Sequence, residues 1–462
     1  MGVSDELQGS IEKSKAVVRR YFAHRDVYPS DLHGVMRKHI YTGAMGSTYF
    51  TLIAGLFYIY YGTEVGLTRP LWGLMGGISA FALASQVLAA YIAERIPRRK
   101  LLWFITALAG RVLRVSMLFL CLWLWYRRWP YTVYLLIAGM CASDFFDAWA
   151  GPPWFSWLAD IIPERKQGRF WGRRSAWVSL ATVCALVPAG FVMDEVSADH
   201  KMAIVTWVFI GAAVIGIADI VIHGTLPEPR LDAGESGPLL DRLIAPVMDK
   251  DFQPWLVFNV AWTASMTLGG ALGTLYFMRE LEYEKHFLAG VIVLSALTQF
   301  GVVVSSTWSG KLVDKVGPRR VLLWGHFFWA VLPLYWVFAT PATANLWLGW
   351  SSFSGGAGSA AASTAANKLI TRLPQPQDRA MYVAVNACLA NIASAIGVWT
   401  AGLVLWIFGD AHWTVLGWTF AAFPLLFVAS FILRFVCAQT LLRRVVDPGQ
   451  EEEKAVLEAE AA

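Results

Sequence analysis

Twelve long apolar runs constrain this chain more than any other feature of its sequence. Each is long enough for a helix to cross the hydrocarbon core of a bilayer, which takes roughly 20 residues. Hydrophobic residues make up 56% of the chain and charged residues only 15%. The sequence therefore predicts an all-α integral membrane protein. In chain order, the predicted spans 1 to 12 are Ile40–Tyr61, Leu71–Ala93, Leu101–Tyr126, Tyr131–Ala159, Ala176–Met193, Met202–Ile222, Pro254–Phe277, Phe287–Gly310, Val321–Thr340, Ala344–Leu369, Met381–Phe408 and Val415–Phe435.

The lysines and arginines are divided unequally between the two sets of loops. With both termini on one side, that side holds 30 of the 38 basic residues, counting Lys368 and Arg434 at the ends of their spans. The other side holds 6, and the remaining two lie deep within a span. Loops rich in Lys and Arg stay on the cytoplasmic side of a membrane. We therefore expect a multi-pass protein of the cell inner (cytoplasmic) membrane with both termini in the cytoplasm. The net charge of +5 is then a topology signal and not a sign of nucleic-acid binding.

A loop motif separates spans 8 and 9, and a weaker copy separates spans 2 and 3. The first copy reads G-x-L-x-D-x-x-G-x-R-R, whereas the second replaces its glycines by Ala and Pro and its acid by Glu. The motif resembles the loop signature of the major facilitator superfamily, and two copies at half-chain spacing indicate two related halves. The motif residues are Gly310, Asp314, Gly317, Arg319 and Arg320 in the first copy, and Glu94, Arg98 and Arg99 in the second.

The resemblance implies twelve transmembrane helices in two pseudo-symmetric six-helix bundles, with a central cavity lined by spans 1, 4, 7 and 10. It also implies that the motif acts as a cytoplasmic gate between the halves; a topology signal alone is the alternative. The expected domains are a cytoplasmic segment (1–39), an N-terminal bundle (40–222), a linker with a lateral amphipathic helix (223–253), a C-terminal bundle (254–435) and an acidic cytoplasmic tail (436–462).

Two arginines and two aspartates lie deep inside spans 3 and 4. At 1.5 Å per residue, Arg111 is about 15 Å and Asp147 about 18 Å from the cytoplasmic ends of their spans. Because residues at equal height on antiparallel neighbours have a constant sum of residue numbers, the spacing predicts stacked pairs Arg111–Asp147 and Arg114–Asp144. An unpaired charge at this depth costs about 2.5–3.5 kcal/mol even on a lenient scale. The pairs either hold spans 3 and 4 together or belong to a proton or substrate site.

Other candidate site residues lie near these charges. Gly151-Pro152-Pro153 follows Asp147, and two successive prolines predict a kinked or unwound span 4. Transporters place their sites beside broken helices near the membrane midplane, where Trp149 and Trp154 add flat surfaces. Gln86 is the one strong amide of span 2, and its alternative role is an interhelical hydrogen bond.

These features predict a secondary active transporter that moves a small organic solute by alternating access, with proton symport as a candidate coupling at Asp144 and Asp147. A transporter-like receptor or assembly factor is the alternative function. No G-x-x-x-x-G-K-[ST] motif for a nucleotide-driven pump occurs, and we expect no enzyme activity, cofactor or metal. The expected partners are a small-molecule substrate, protons and membrane lipid, with no nucleic acid, and the expected state is a monomer.

The predicted topology can be tested with single cysteines in a variant that lacks the five native ones. Cysteines in the loops Asp194–Lys201 and Met278–His286 should react with an impermeant maleimide in intact cells, because few basic residues hold these loops inside. Cysteines within Pro163–Arg174 should react only after the membrane is opened. The reverse labelling pattern would contradict the orientation.

Overall fold

The computed structural model describes residues 15, 21–28, 30–96, 98–162, 164–229, 238–370, 373, 379–409, 411, 413–415 and 418–446. Nearly all of them are helical. A short antiparallel hairpin of β1 (Trp413–Val415) and β2 (Trp418–Phe420), with Thr414 opposite Thr419, precedes the last span. The all-α membrane fold predicted from composition is confirmed.

Eleven of the twelve predicted spans coincide with a helix or a broken helix. The predicted start of span 12 at Val415 is wrong, because Val415 and Trp418–Phe420 belong to the hairpin and the helix begins at Ala422. Within the described ranges, 9 helices are long and apolar enough to cross a membrane; spans 1, 9 and 10 are helical too. Spans 1 to 6 consist of Leu32–Ala54 with Leu56–Val65, Arg69–Ala84 with Gln86–Arg95, Arg99–Tyr126, Thr132–Ile161, Glu164–Glu195 and Ala198–His223. Spans 7 to 12 consist of Gln253–Gly270 with Gly273–Arg279, Phe287–Val291 with Leu297–Val316, Pro318–Val337, Ala344–Ile370, Arg379–Phe408 and Ala422–Thr440. The predicted linker helix is present as Leu239–Met248.

The helix breaks do not lie where the prolines predict. Span 4 is one continuous helix that contains Pro152 and Pro153, so the prediction of an unwound segment is wrong. Each proline removes a single backbone donor and has a φ that a helix accepts. Span 1 is interrupted instead at Gly55 and span 2 at Ser85, while a π-helical turn, Ile292–Ala296, joins the two parts of span 8.

The two halves touch along span 2 and span 11, where small residues bring the backbones together. A methyl group on Gly73 would lie 2.6 Å from the Cα atom of Gly402. One turn along, a methyl group on Gly77 would overlap the indole ring of Trp399. Close approach through glycine is the usual way in which membrane helices gain packing energy, and here it joins the halves.

Apolar packing divides differently at the two ends of the molecule. We call the face that carries Tyr21 and Arg444 the terminal face, and the other the opposite face. At the opposite face a single core takes side chains from both halves, including Phe57, Tyr61 and Met193 with Phe277, Phe287 and Leu405. Towards the terminal face each half has its own core, one around Trp103 and Trp157 and another around Trp255 and Leu322. A small cluster around Val87, Met381 and Val385 connects the halves there.

A carboxylate of the first half also caps a helix of the second half at the opposite face. Asp194, at the end of span 5, accepts hydrogen bonds from the backbone N–H groups of Phe287 (2.5 Å) and Leu288 (3.1 Å). These donors begin span 8, where no earlier carbonyl of the same helix can accept from them. A negative charge is favoured at a helix N-terminus, so this cap ties the halves together.

Two further polar contacts cross the same face. Arg69, the first residue of span 2, forms an ion pair with Glu280 at the end of span 7. Lys201, at the start of span 6, donates to the backbone carbonyl of Glu284 at 3.1 Å. We call these two contacts and the Asp194 cap the opposite-face clasp. With the shared core, the clasp closes the protein on that side.

One basic residue that the topology count assigns to the C-terminal end lies inside a span. The sequence count treats Arg434 as part of the C-terminal end, but the structure buries it inside span 12 at 6% exposure. Its guanidinium donates to the carbonyls of Met266 (3.1 Å) and Trp329 (3.4 Å). Arg434 is the second-last residue of the predicted span, which ends at Phe435. This position made it resemble a residue of the C-terminal end. The unequal division of the other lysines and arginines between the two sets of loops is unchanged.

The clasp can be tested by replacing its capping carboxylate. Asp194→Asn removes the charge that holds the start of span 8, and hydrogen bonds to a charged group are worth about 1.5–3 kcal/mol. A cysteine at Val291, which is 1% exposed, should then react about tenfold faster with a maleimide supplied at the opposite face. The exposed neighbour Glu195→Gln is the matched control. Equal labelling in both variants would show that the cap does not contribute to closure.

Candidate functional site

Span 3 carries two arginines about one turn apart, and both are buried within the first half. Arg111 is 6% exposed and Arg114 is 5% exposed. The helix around them is apolar, so each guanidinium would be costly in a bilayer without a nearby anion. The carboxylates that neutralise them come from two different helices.

Arg114 binds two carboxylates of span 4 at once. Its Nη2 atom lies 2.5 Å from Asp144 Oδ1 and 2.9 Å from Asp147 Oδ2. The predicted Arg114–Asp144 pair is therefore confirmed. One guanidinium can reach both acids because residues three apart lie on the same helix face. We call Asp144, Arg114 and Asp147 the acidic triad, since two carboxylates against one guanidinium leave one formal negative charge.

Arg111 does not bind Asp147, and that predicted pair is wrong. Its Nη2 atom lies 2.7 Å from Asp219 Oδ2 on span 6, and its Nη1 atom donates to the carbonyl of Gly216. The ring of Tyr49 lies 4.6 Å from the guanidinium carbon. Equal height in the membrane is necessary for a pair, but it does not specify which neighbouring helix each side chain faces.

Asp219 is the functional candidate that the sequence analysis missed. It lies within the predicted span 6, four residues before His223 at the end of the helix, and its side chain is 8% exposed. The signal was available, because an acid inside an apolar run is a functional candidate by default. Its position close to the loop made it resemble a surface residue.

Glycines provide the space in which these carboxylates lie. A methyl group on Gly110 of span 3 would be 2.6 Å from Asp147 Oδ1, and one on Gly46 of span 1 would be 2.8 Å from Asp219 Oδ2. Real Cβ atoms do not approach other atoms so closely. The ion pairs therefore depend on the absence of side chains at these two positions.

A cavity of about 380 Å³ lies beside the acidic triad, between spans 1, 3, 4, 5 and 6. Four charged side chains line it: Arg111, Asp147, Arg174 and Asp219. Arg174, on span 5, packs so tightly against span 1 that a methyl group on Gly43 would lie 2.8 Å from its Nε atom.

Aromatic and imidazole rings form the end of the cavity nearest the terminal face. Trp154 donates from Nε1 to His223 Nε2 at 3.1 Å, so the proton of His223 is on Nδ1, which lies 2.7 Å from Thr42 Oγ1. The guanidinium carbon of Arg174 lies 5.3 Å from the Trp154 ring centre. Trp154 thus forms part of the cavity wall.

Two other candidates lie away from the cavity. Trp149 donates from Nε1 to Ser85 Oγ at 2.9 Å, in the contact between spans 4 and 2. Gln86 begins the second helix of span 2 and is not among the residues that line the cavity. The helical spacing of span 4 turns Trp149 away from Asp147, which explains the difference between the two tryptophans.

The loop-motif residues lie at the terminal face, and none of them is among the residues that line the charged cavity. Gly317 ends span 8 with φ of 85°, a conformation that glycine adopts readily. Arg319 donates to the carbonyl of Arg443 at 2.5 Å, Arg99 is buried, and Arg98 and Arg320 are exposed. The side chains at Glu94 and Asp314, and the surroundings of Gly310, lie outside the part of the chain that the structure describes.

Comparison with known proteins agrees with this architecture. The family model described as Major Facilitator Superfamily matches residues 40–306 and 254–459, which together cover most of the chain. The chain belongs to the major facilitator superfamily, and it is a membrane transporter and not an enzyme. No curated protein matches it by sequence.

Several solved structures have the same fold. A mutant of the nucleoside transporter NupG aligns with a TM-score of 0.65 at 14% identity, over 88% of this chain and 99% of that one. A bacterial homologue of the iron transporter ferroportin in its outward-facing state gives 0.58 at 15%, over 89% and 98%. The human organic anion transporter MFSD10 gives 0.55 at 14%, over 89% and 100%. At these identities the similarity concerns the fold alone.

The two buried arginines predict different effects of losing an acid. Asp219→Asn removes the only carboxylate that the described structure places on Arg111, and breaking a buried pair in this way costs about 3–5 kcal/mol. Asp147→Asn should be tolerated, because Arg114 retains Asp144. Thermal unfolding of the purified variants measures the difference, with the exposed Asp199→Asn as control. Restored stability in Arg111→Gln/Asp219→Asn would support the assignment, and equal losses in the two single variants would contradict it.

Proposed function

We propose that this protein is a secondary active transporter that moves a small organic solute by alternating access and couples this movement to protons at the acidic triad. The observation that carries the proposal is the charged cavity beside Asp147. A buried space lined by ionic side chains is costly to maintain inside a membrane protein, and in this family it is the expected place for a solute.

The unequal charge of the acidic triad supports proton coupling. Asp144 and Asp147 share Arg114, so this group of three side chains has one formal negative charge in excess. A proton on either carboxylate, or a cationic group of a solute, would neutralise that charge. Because Asp147 also lines the cavity, its protonation would change the charge of the space that a solute enters.

The distribution of contacts between the halves supports alternating access. The opposite-face clasp and the shared core close one side, while the cores of the two halves separate towards the other. We assign the terminal face to the cytoplasm from the excess of Lys and Arg there. The structure then represents a state closed to the outside, and opening outwards would require the Asp194 cap and the Arg69–Glu280 pair to break.

Replacing Asp147 should separate coupling from binding of the solute. Asp147→Asn removes the shared negative charge but keeps the Arg114–Asp144 pair. In proteoliposomes it should exchange solute across equal concentrations at nearly the normal rate, yet should not accumulate solute when a pH gradient is imposed. Counterflow and gradient-driven uptake, measured with solutes found by a thermal-shift screen, test this expectation.

Asp199→Asn, which changes an exposed acid on the opposite face, is the matched control and should retain both activities. Normal uphill uptake by Asp147→Asn would end the assignment of coupling to this residue. Absence of exchange by the unaltered protein, with any solute that stabilises it, would contradict the transporter function itself.

A further inference from the structure

An apolar groove follows the contact between span 2 and span 11, where the two halves meet. Its volume is about 580 Å³. Large apolar side chains of its wall are open to the surroundings of the protein: Trp406 is 70% exposed and Leu403 is 53% exposed. On a helix that crosses a bilayer, such surface meets lipid tails. The described residues that line this seam groove carry no charge, and they are Pro70, Leu71, Leu74, Ile396, Trp399, Thr400, Gly402, Leu403 and Trp406.

The seam groove has the depth of one leaflet of a bilayer. On span 11 it reaches from Trp406, near the end of the helix, to Ile396, which lies twelve residues before the last residue, Phe408. At 1.5 Å per residue this depth is about 18 Å. The hydrocarbon core of a bilayer is about 30 Å thick, so each leaflet takes roughly half of it. Trp406 lies at the outer end of the groove, where tryptophan rings are common at the level of the lipid head groups.

A second pocket, of about 690 Å³, adjoins the seam groove at the opposite face. The two spaces share Pro70 and Trp406 as lining residues. Arg69 and Arg279 are the charged side chains that the described structure places on the wall of this head pocket. They lie at the start of span 2 and at the end of span 7, which is the level of lipid head groups. A basic space therefore continues directly into an apolar one.

Both arginines have an acidic neighbour, and both retain donors for a further anion. Arg69 uses Nη2 for Glu280, while its Nη1 atom lies 3.9 Å from the place of a methyl group on Gly409, which lines the head pocket. The Nε atom of Arg279 is 3.8 Å from Glu284 Oε2, which is beyond hydrogen-bond distance. A guanidinium has five N–H donors. Its planar arrangement of donors matches the oxygens of a phosphate, so each arginine can bind one without losing its acid.

We infer that the head pocket and the seam groove together bind a phospholipid of the leaflet at the opposite face, with its phosphate at Arg69 and Arg279 and an acyl chain in the groove. The two guanidinium groups select a phosphate over an uncharged head group, and the depth of the groove selects a membrane lipid over a soluble anion. Basic pockets between transmembrane helices are known positions of lipid head groups. The site shares no lining residue with the charged cavity, so the inference is independent of the transported solute.

Probes that differ in one part of the lipid test the inference by native mass spectrometry of the full-length protein released from detergent. Dioleoyl phosphatidylglycerol should bind about tenfold more tightly than dioleoylglycerol, which has the same chains and no phosphate. Glycerol phosphate, which has the phosphate and no chains, should not bind at the same concentration. Equal binding of the two lipids, or binding of glycerol phosphate as tight as that of the phospholipid, would overturn the inference.

Variants of the head pocket separate the phosphate contact from the opposite-face clasp. Arg69→Gln/Arg279→Gln should weaken phosphatidylglycerol by about tenfold and leave dioleoylglycerol unchanged. Glu280→Gln is the matched control, because it breaks the same ion pair but keeps both guanidinium groups, and it should bind the phospholipid normally. If the double variant does not fold, Arg279→Gln alone should cause about a threefold loss. Unchanged binding by a folded arginine variant, or an equal loss in Glu280→Gln, would contradict the phosphate assignment.

A variant of the seam groove tests the position of the acyl chain. Thr400→Trp places a large ring in the groove and should weaken both phosphatidylglycerol and dioleoylglycerol by about tenfold. Val383→Trp makes a similar change on the same span towards the terminal face, at a position that is 41% exposed and does not line the groove. This control should bind both lipids normally. Normal binding by Thr400→Trp, or the same loss in both variants, would contradict the assignment of the chain to the groove.

Discussion

The burial of two guanidinium groups on one apolar helix is the constraint on which the first half of this protein depends. Arg111 and Arg114 of span 3 cannot remain unpaired in hydrocarbon, where each would cost several kcal/mol. Arg114 therefore requires the face of span 4 that carries Asp144 and Asp147, and Arg111 requires the face of span 6 that carries Asp219. Three ion pairs thus determine how three helices are rotated against one another.

These ion pairs depend on residues that have no side chain. Gly110 and Gly46 leave room for Asp147 and Asp219, and a methyl group at either position would overlap a carboxylate oxygen. In a membrane, lipid tails are as apolar as the side chains they contact, so association of helices depends on close packing and on polar contacts. The two glycines allow both the close packing and the polar contacts. The carboxylates for which they leave room line the cavity.

The second half follows the same helical plan with different buried chemistry. Arg434 of span 12 lies between spans 7 and 9, as Asp219 of span 6 lies close to spans 1 and 3, but the described structure shows only the carbonyls of Met266 and Trp329 as its acceptors. The charged cavity therefore belongs to the first half alone. The second half contributes through the opposite-face clasp, in which span 8 receives the Asp194 cap. The charged cavity thus lies in the first half, whereas the contacts that close the opposite face need both halves.

The sequence by itself determined the twelve helices, because a bilayer acts on each helix separately through its length and apolar composition. It also determined the Arg114–Asp144 pair, since height along two antiparallel helices can be counted from residue numbers. Only the tertiary structure decided that Arg111 binds Asp219, that Asp147 joins Arg114, that Arg434 is buried, and that Trp154 but not Trp149 lines the cavity. Each of these depends on which faces of which helices meet. Rotation of a helix about its axis does not change the length or composition of the span. The choice of the face that meets each neighbour is therefore made only when the helices pack together.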